Sequence, residues 1–352
     1  MAGSWDPTAL PIRPGLYINF VQAAIAQITG GARGIVAVPL KTYGVTADPK
    51  TFYTIEKEQE AIDLFGKANI QSITLALRGG AKEVLVYTMP TIDGELVTEE
   101  EAYSEARDAF EAYIFNVFVY DGEVSATEQD SGLAWCKRNK DEGKHFMIVF
   151  GGTADDDADP EVGDARSTRL EDDYSVNLIV GGELSGQEFP SGEYAPYIAG
   201  LIAGTPINAS ITYAKVPLDD VNKRLRNVEI KTALTAGSLV LVHDGEKVKV
   251  EQGLCTSKEK IRNVRARQAI ATDIAKTAAD HYIGKLNNNP DGQATLISAI
   301  LAYLENLEVN NVLMEPSVVL DPQRESKGDT VFLLIEYTEV DSMERVFLTI
   351  NI

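Results

Sequence analysis

The sequence predicts a mixed fold of the α+β class: a three-layer α/β unit joined to a C-terminal α+β domain, with extended strand arms at both ends. Two observations predict it. Between residues 83 and 180, short apolar runs of strand length alternate with segments of helical period. The first and last stretches of the chain instead alternate apolar and polar residues, which is typical of β-strands. At 352 residues the chain has room for two domains of ordinary size.

The α/β unit is predicted to span residues 83–210. Thr98 with Glu101, and Ser125 with Glu128, have the spacing of residues that cap the start of a helix. Helices are therefore predicted between the strands, which are expected at residues 84–87, 115–120, 145–150 and 176–180.

Two later segments of this unit have a distinctive composition. Residues 192–204 are rich in small side chains, which predicts a helix that packs closely against the sheet. The acidic run at residues 155–161 is predicted to be a solvated, mobile loop. It is not predicted to bind calcium, because Pro160 and Arg166 stand where an EF-hand loop needs Gly and Glu.

The remainder of the chain divides into four parts. Residues 1–20 are predicted to form an extended N-terminal arm, because Pro7, Pro11 and Pro14 disfavour a helix there. The other parts are residues 21–82 in a core α+β domain, residues 211–338 in a C-terminal core domain and residues 339–352 in a C-terminal strand arm. The C-terminal core is expected to hold a hairpin turning at residues 244–245 and a long helix over residues 258–286.

The two arms are candidates for strand pairing with a neighbouring molecule, since chain ends fray unless something holds them. The apolar residues expected to make these contacts are Leu16, Ile18 and Phe20 at one end and Val346, Leu348 and Ile350 at the other. The strand expected to receive them covers residues 331–337, with Val331, Leu333 and Ile335 on one face. From the residues alone, pairing of both arms inside the same subunit is the favoured alternative.

Composition excludes several classes of protein. The net charge of −21 argues against a nucleic-acid partner, because phosphate binding needs a basic surface. No apolar run approaches the roughly 18 to 20 residues of a membrane span, and no signal peptide is visible, which predicts synthesis in a cytoplasm without membrane insertion. Cys136 and Cys255 are accordingly expected to be unpaired thiols.

No catalytic residue, metal site or cofactor is predicted. The chain has neither a dinucleotide-binding nor a P-loop glycine motif, and no G-x-S-x-G nucleophile motif. His145, His243 and His281 lack a second ligand at metal-binding spacing. From the residues, two classes stay open: an α/β enzyme or small-ligand-binding protein with a discrete oligomeric state, and a non-contractile structural subunit.

Positive charge is concentrated in one region. Residues 210–270 carry 12 Lys and Arg against 7 Asp and Glu, a net charge of +5 in an otherwise acidic chain. Within it, a basic cluster lies at the expected start of the long helix: Lys258, Lys260, Arg262, Arg265 and Arg267. Cations are unfavourable near a helix N-terminus, so this placement predicts an acidic partner.

Four segments in the same order resemble the tail sheath proteins of contractile phages and R-type bacteriocins, the diffocin-like sheaths in particular. They are residues 11–17, 77–87, 199–213 and 340–344, and the third is the most specific. The resemblance includes the short sheaths of Gram-positive myophages as well as those of diffocin-like particles, and it runs nearly from end to end. It identifies the chain as a member of the sheath family.

This resemblance implies a structural subunit that is not an enzyme. Such subunits form hexameric rings stacked around a tail tube, joined by strands that their arms donate to neighbours, and they bind baseplate and tail terminator proteins. They contract without a nucleotide to drive the tube through the target envelope. The resemblance also implies that the C-terminal domain, and with it the basic cluster, faces the tube. Assembly would occur in a bacterial host cytoplasm, and the product would be a phage tail or an extracellular bacteriocin particle.

Overall fold

The computed structural model describes residues 33–92 and 97–351, and its centre is a six-stranded sheet. The strands are β1 (Ile35–Leu40), β2 (Phe52–Ile55), β3 (Glu83–Thr88), β4 (Val117–Val119), β5 (Met147–Phe150) and β6 (Ser175–Asn177). Their order is β2-β3-β1-β4-β5-β6, and all neighbours run parallel except the antiparallel pair β2 and β3. The boundary predicted between residues 82 and 83 falls inside this sheet, because β1 pairs with both β3 and β4.

Helices cover both faces of the sheet, which confirms the three-layer α/β unit. The first four are α1 (Glu58–Phe65), α2 (Gln71–Gly79), α3 (Glu99–Phe110) and α4 (Ala126–Asp141). The predicted caps are present: Thr98 and Ser125 each accept a hydrogen bond from the backbone N–H three residues later. Helices α3 and α4 pack together, and Trp135 of α4 lies among Phe115, Phe118 and Phe146.

The acidic run is not a mobile loop, so that prediction was wrong. It forms α5 (Ala154–Ala158) and the start of α6 (Pro160–Arg169). Thr153 and Asp159 cap these helices with their side chains, and Asp157 is buried. Acidic residues suit the first turn of a helix because they face its positive end. The net charge of the run does not by itself reveal this local capping.

The small-residue helix is confirmed as α7 (Ser191–Gly204). It crosses α2 and packs against β1, β4 and β5. The same region contains two three-stranded sheets and α8 (Asn227–Ala236), which packs against α6. Their strands are β7 (Gly182–Leu184), β8 (Gln187–Phe189), β9 (Lys215–Val216), β10 (Asp220–Val221), β11 (Leu241–His243) and β12 (Val248–Val250), in the orders β10-β7-β8 and β11-β12-β9.

The hairpin predicted across residues 244–245 is confirmed, since β11 and β12 pair antiparallel and Gly245 adopts a φ of 104° in the turn. The two three-stranded sheets, β10-β7-β8 and β11-β12-β9, both contribute to the first hydrophobic core, which continues along the chain as far as Val264. The domain boundary predicted at residue 211 therefore cuts through a packed core.

A second hydrophobic core lies in the C-terminal region. It is formed by α9 (Ile261–Thr277), α10 (Pro290–Val309), β13 (Leu313–Leu320) and β14 (Leu333–Glu339). Strands β13 and β14 make an antiparallel two-stranded sheet against which α10 packs. Helix α9 is shorter than predicted and ends in a π-helical turn at Ala278–Tyr282.

Candidate assembly interface

The tip of the C-terminal arm, residues 345–351, is exposed to solvent. It has no regular secondary structure and makes no hydrogen bond within the described part of the chain. Val346, Leu348 and Ile350 are 63%, 82% and 80% exposed, and Phe347 is 91% exposed. Apolar side chains at this density on a strand-like segment would normally be covered. Among residues 33–92 and 97–351 of the same subunit, these side chains therefore have no strand partner.

The predicted receiving strand is present as β14, which begins at Leu333. Val331 lies before it and outside the strand, so that residue was wrongly included. One edge of β14 pairs with β13, and among the described residues no other strand pairs with its second edge. Leu333 and Ile335 are half-buried against the second hydrophobic core. An unpaired strand edge of seven residues is a template for a further strand.

The root of the same arm, residues 339–344, is held against the subunit by the basic cluster. Arg267 binds Glu339, with Nε 2.5 Å from Oε1. Lys260 Nζ lies 2.6 Å from a carboxylate oxygen of Asp341. The acidic partner that the cluster was expected to need is thus within the same chain.

Arg262 completes this contact with the root. Its guanidinium donates to Ser342 Oγ and to the backbone carbonyl of Asn311, both at 2.9 Å. Arg262 itself is only 7% exposed. Burial lowers the pKa of its guanidinium, and the nearby carboxylates of Asp341 and Glu344 oppose that shift.

Glu344 is the most enclosed carboxylate of the root, with a side chain 9% exposed. Its Oε1 accepts hydrogen bonds from Thr212 Oγ1 at 2.9 Å and Ser210 Oγ at 3.3 Å. Its Oε2 accepts from Gln252 Nε2 at 3.0 Å and lies 3.1 Å from Lys260 Nζ. Two of the segments that carry the family resemblance, residues 199–213 and 340–344, therefore meet at this side chain.

The remaining members of the basic cluster lie apart from the root. Arg265 is 8% exposed and donates to the backbone carbonyls of Ala203 and Thr205. Burial, and then the charge of Arg33, lower the pKa of Arg265 to about 10. Lys258 is exposed and lies 3.4 Å from a carboxylate oxygen of Glu171. The burial of Arg262 and Arg265 argues against contact of these two with any outside surface.

Leu16, Ile18 and Phe20 of the N-terminal arm lie outside the described residues. The sequence did not predict that the root of the arm is held by contacts of Glu344 with Ser210, Thr212 and Gln252. One signal in the sequence could have identified Glu344. It follows Asp341 and lies directly before the segment in which apolar residues alternate along the arm.

The α/β unit has a crevice where an enzyme of this fold would bind its ligand. It lies at the carboxyl ends of β1 and β4, where the chain reverses its direction across the sheet. The crevice measures about 510 Å³ and is lined by Lys41 together with Asp121, Glu123 and Glu193. Asp121 accepts hydrogen bonds from Ser72 Oγ at 2.6 Å and from the Lys41 N–H at 3.0 Å, and burial raises its pKa.

Three carboxylates against one lysine would repel a phosphorylated ligand. Within residues 33–92 and 97–351, no group of His, Cys, Asp and Glu side chains is arranged to hold a metal ion. Cys136 and Cys255 are buried free thiols, as expected. None of the helices in the described ranges combines the length and the apolar character that crossing a membrane requires.

The fold and the anchored arm define a class of protein, the sheath subunits of tail-like particles. Residues 97–256 match the family model of the phage tail sheath protein central domain, and residues 256–352 match that of the phage tail sheath C-terminal domain. The chain belongs to the phage tail sheath protein family and is a structural sheath subunit. Of the curated proteins, the tail sheath protein of Clostridium phage phiCD119 is 22% identical over 95% of this chain and 98% of its own length.

Solved structures share the fold over almost the whole chain. The sheath tail protein of Desulfitobacterium hafniense has a TM-score of 0.73 at 20% identity and covers 95% of this chain and 99% of its own. The helical sheath of the anti-feeding prophage in its contracted state gives a TM-score of 0.74 at 14% identity, over 96% of this chain and 98% of its own. At such identities the comparison establishes the fold.

Proposed function

We propose that this protein is the subunit of a contractile sheath that polymerises as stacked hexameric rings around a tail tube. Each subunit donates the tip of its C-terminal arm to the open edge of β14 in a neighbouring copy. The observation that carries the proposal is the exposed apolar alternation of Val346, Leu348 and Ile350 beyond a root that is firmly held. Backbone hydrogen bonds between strands provide the affinity, and the alternate side chains provide the register.

The N-terminal arm, with Leu16, Ile18 and Phe20, pairs in the same mesh. Contacts of this head-to-tail kind propagate instead of closing on a dimer. Because strand pairing holds neighbours together while the packing between rings changes, the mesh survives contraction. The extended sheath is a kinetically trapped state, and its relaxation drives the tube through the target envelope without a nucleotide or other cofactor.

The partners of this subunit are further copies of itself, the tube protein, and the baseplate and terminator proteins at the two ends. Of the basic cluster, Lys258 and Arg267 have side chains 52% and 43% exposed and are the members that face the tube. Assembly takes place in the host cytoplasm, and the product is a phage tail or an extracellular bacteriocin particle.

The test is to co-express the protein with its tube protein and to examine the product by negative-stain electron microscopy. Striated tubes with a six-fold end view that enclose an inner tube are expected. The matched variant ends at Arg345, which removes the apolar arm tip and leaves the root intact. It is expected to fold and to remain unpolymerised. Uniform small particles from the parent protein at every concentration would overturn the proposal.

A further inference from the structure

Glu344 binds parts of the subunit that are far apart in the sequence. Its carboxylate receives hydrogen bonds from Ser210 and Thr212 after α7, from Gln252 after β12, and an ion pair from Lys260 just before α9. Distances of 2.9 to 3.3 Å place all four donors in direct contact with its two oxygens. A carboxylate has about four acceptor positions, so this one is fully used.

The neighbours of Glu344 along the chain are not held in this way. Met343 is 87% exposed, and Arg345 is exposed with no ion pair among the described residues. From Val346 to Asn351 the side chains are exposed to solvent. Among the described residues, Glu344 is therefore the last one whose side chain is fixed to the body of the subunit, and the arm tip starts immediately after it.

We propose that Glu344 is a positioning residue that sets the point and direction at which the C-terminal arm leaves the subunit. The inference rests on the proposed function, in which the arm tip pairs with a neighbouring copy. A tip that leaves from a fixed point pays little ordering entropy when it pairs, and it reaches its acceptor at a high effective concentration. Without Glu344 a longer segment of the chain is unanchored. Pairing then costs more conformational entropy, and the effective concentration of the tip at its acceptor is lower.

The same contacts transmit force. When neighbouring subunits move relative to one another, tension on the donated strand reaches the chain at Arg345. Glu344 distributes that tension to the segment 210–212, to Gln252 and to the start of α9, all of which adjoin buried residues of the first hydrophobic core. Within the described part of the chain, Asp341 and Glu339 bind one cation each, and both are more exposed, so they contribute less to this connection.

The first measurement follows the anchoring directly. Met343→Cys introduces an exposed thiol for a nitroxide spin label next to Glu344. Cys136 and Cys255 do not compete for the label, because both are buried and burial raises their thiol pKa values. The electron paramagnetic resonance spectrum is expected to show a label restrained by the backbone in the parent and in Asp341→Asn. It is expected to sharpen to that of a mobile segment in Glu344→Ala.

The second measurement is the subunit concentration at which sheaths form with the tube protein. Loss of the Glu344 contacts is expected to raise this concentration about tenfold, the effect of one strong charge-assisted hydrogen bond. Asp341→Asn is the matched control, because it removes a root carboxylate that shares Lys260, and it is expected to stay within about twofold of the parent. Thermal unfolding of the free subunits shows that each variant is folded.

Each outcome separates the two proposals. A restrained label in Glu344→Ala, or assembly of that variant at the parent's concentration, would overturn the role of Glu344 and leave the proposed function standing. Failure of the parent itself to polymerise would overturn the proposed function and this role with it. A mobile label together with a raised assembly concentration would support both.

Discussion

Gly79 of α2 and Gly200 of α7 face each other where the two helices cross. A Cβ atom on Gly79 would lie 3.0 Å from the Gly200 Cα and 2.2 Å from the carbonyl oxygen of Tyr197. A Cβ atom on Gly200 would lie 2.0 Å from the carbonyl oxygen of Ala76. The backbones are in direct contact, so only glycine fits. Both residues belong to segments that carry the resemblance to sheath proteins, which gives those segments a packing role.

Gly200→Ala is expected to lower the free energy of unfolding by at least about 2 kcal/mol, because the added methyl group must push the two helices apart. In an uncrowded helix the same change would raise stability by about 1 kcal/mol, so the sign of the effect identifies the close contact. Urea denaturation provides the measurement. Gly122→Ala is a useful comparison, since its Cβ would meet no atom within 4 Å and only its φ of 86° is strained. A stabilised Gly200→Ala protein would contradict the interpretation.

Asp157 is expected to be the member of the acidic run on which stability depends. Its carboxylate accepts from the N–H and hydroxyl of Ser191 at 2.7 and 2.5 Å, from the Gly181 N–H at 3.1 Å and from Asn222 Nδ2 at 2.7 Å. Burial raises its pKa and these bonds oppose the shift. Asp157→Ala leaves buried donors without an acceptor, so a loss of about 2 to 4 kcal/mol is predicted.

The control for this prediction is Asp155→Ala, two residues away on the same short helix and exposed to solvent. It is expected to change the free energy of unfolding by less than about 0.5 kcal/mol. Equal effects of the two substitutions in urea denaturation would show that the buried contacts of Asp157 are not important.

The alternation of the arm tip predicts which of its side chains matter in the sheath. Leu348→Asp places a charge on the face that is buried when the strand is donated, and it is expected to abolish polymerisation. Thr349→Asp adds the same charge to the opposite face and is expected to allow assembly. The free subunits should unfold at the same temperature, because neither residue is covered in the subunit. Sedimentation of assembled sheaths measures the difference, and equal behaviour of the two variants would argue against strand donation.

Glu128 predicts a dependence of stability on pH. It is buried, contacts Arg107 and accepts a hydrogen bond from the Tyr120 hydroxyl at 2.7 Å. Burial raises the pKa of Glu128 to about 7 from 4.5, although the bond from Tyr120 and the charge of Arg107 offset part of the shift. Between about pH 4.5 and pH 7, the folded state therefore keeps a proton on Glu128 that the unfolded state has released. The free energy of unfolding should fall as the pH rises through this range, by at most about 3 kcal/mol.

The measurement is the free energy of unfolding in urea at several values between about pH 5 and pH 8. Glu128→Gln should lose this part of the slope, because the amide does not titrate. Parallel curves for the parent and the variant would show that Glu128 titrates at an ordinary pKa in the folded protein.

Local chemistry determined the elements that were predicted correctly. Thr98 and Ser125 start helices because their side chains satisfy backbone N–H groups a few residues away, and the turn at Gly245 needs a positive φ. The helix that contains Asp157 was wrongly predicted to be a loop, because a run of acidic residues has the same composition in a solvated loop and in a capped helix. The place of β1 between β3 and β4 was not predicted either, because the order of strands in a sheet depends on contacts between residues far apart in sequence.

By itself, the sequence determined the class of the fold, the family and the apolar alternation of the arm, all of which depend on residue types at short or regular spacing. Only the tertiary structure decided that Glu344 contacts Ser210, Thr212, Gln252 and Lys260, and that Arg262 and Arg265 are buried. It also placed β1 at the centre of the sheet. The physical reason is the same in each case: a charged side chain or a strand finds its partner through the folded chain, and the identity of that partner is not encoded in its immediate neighbours.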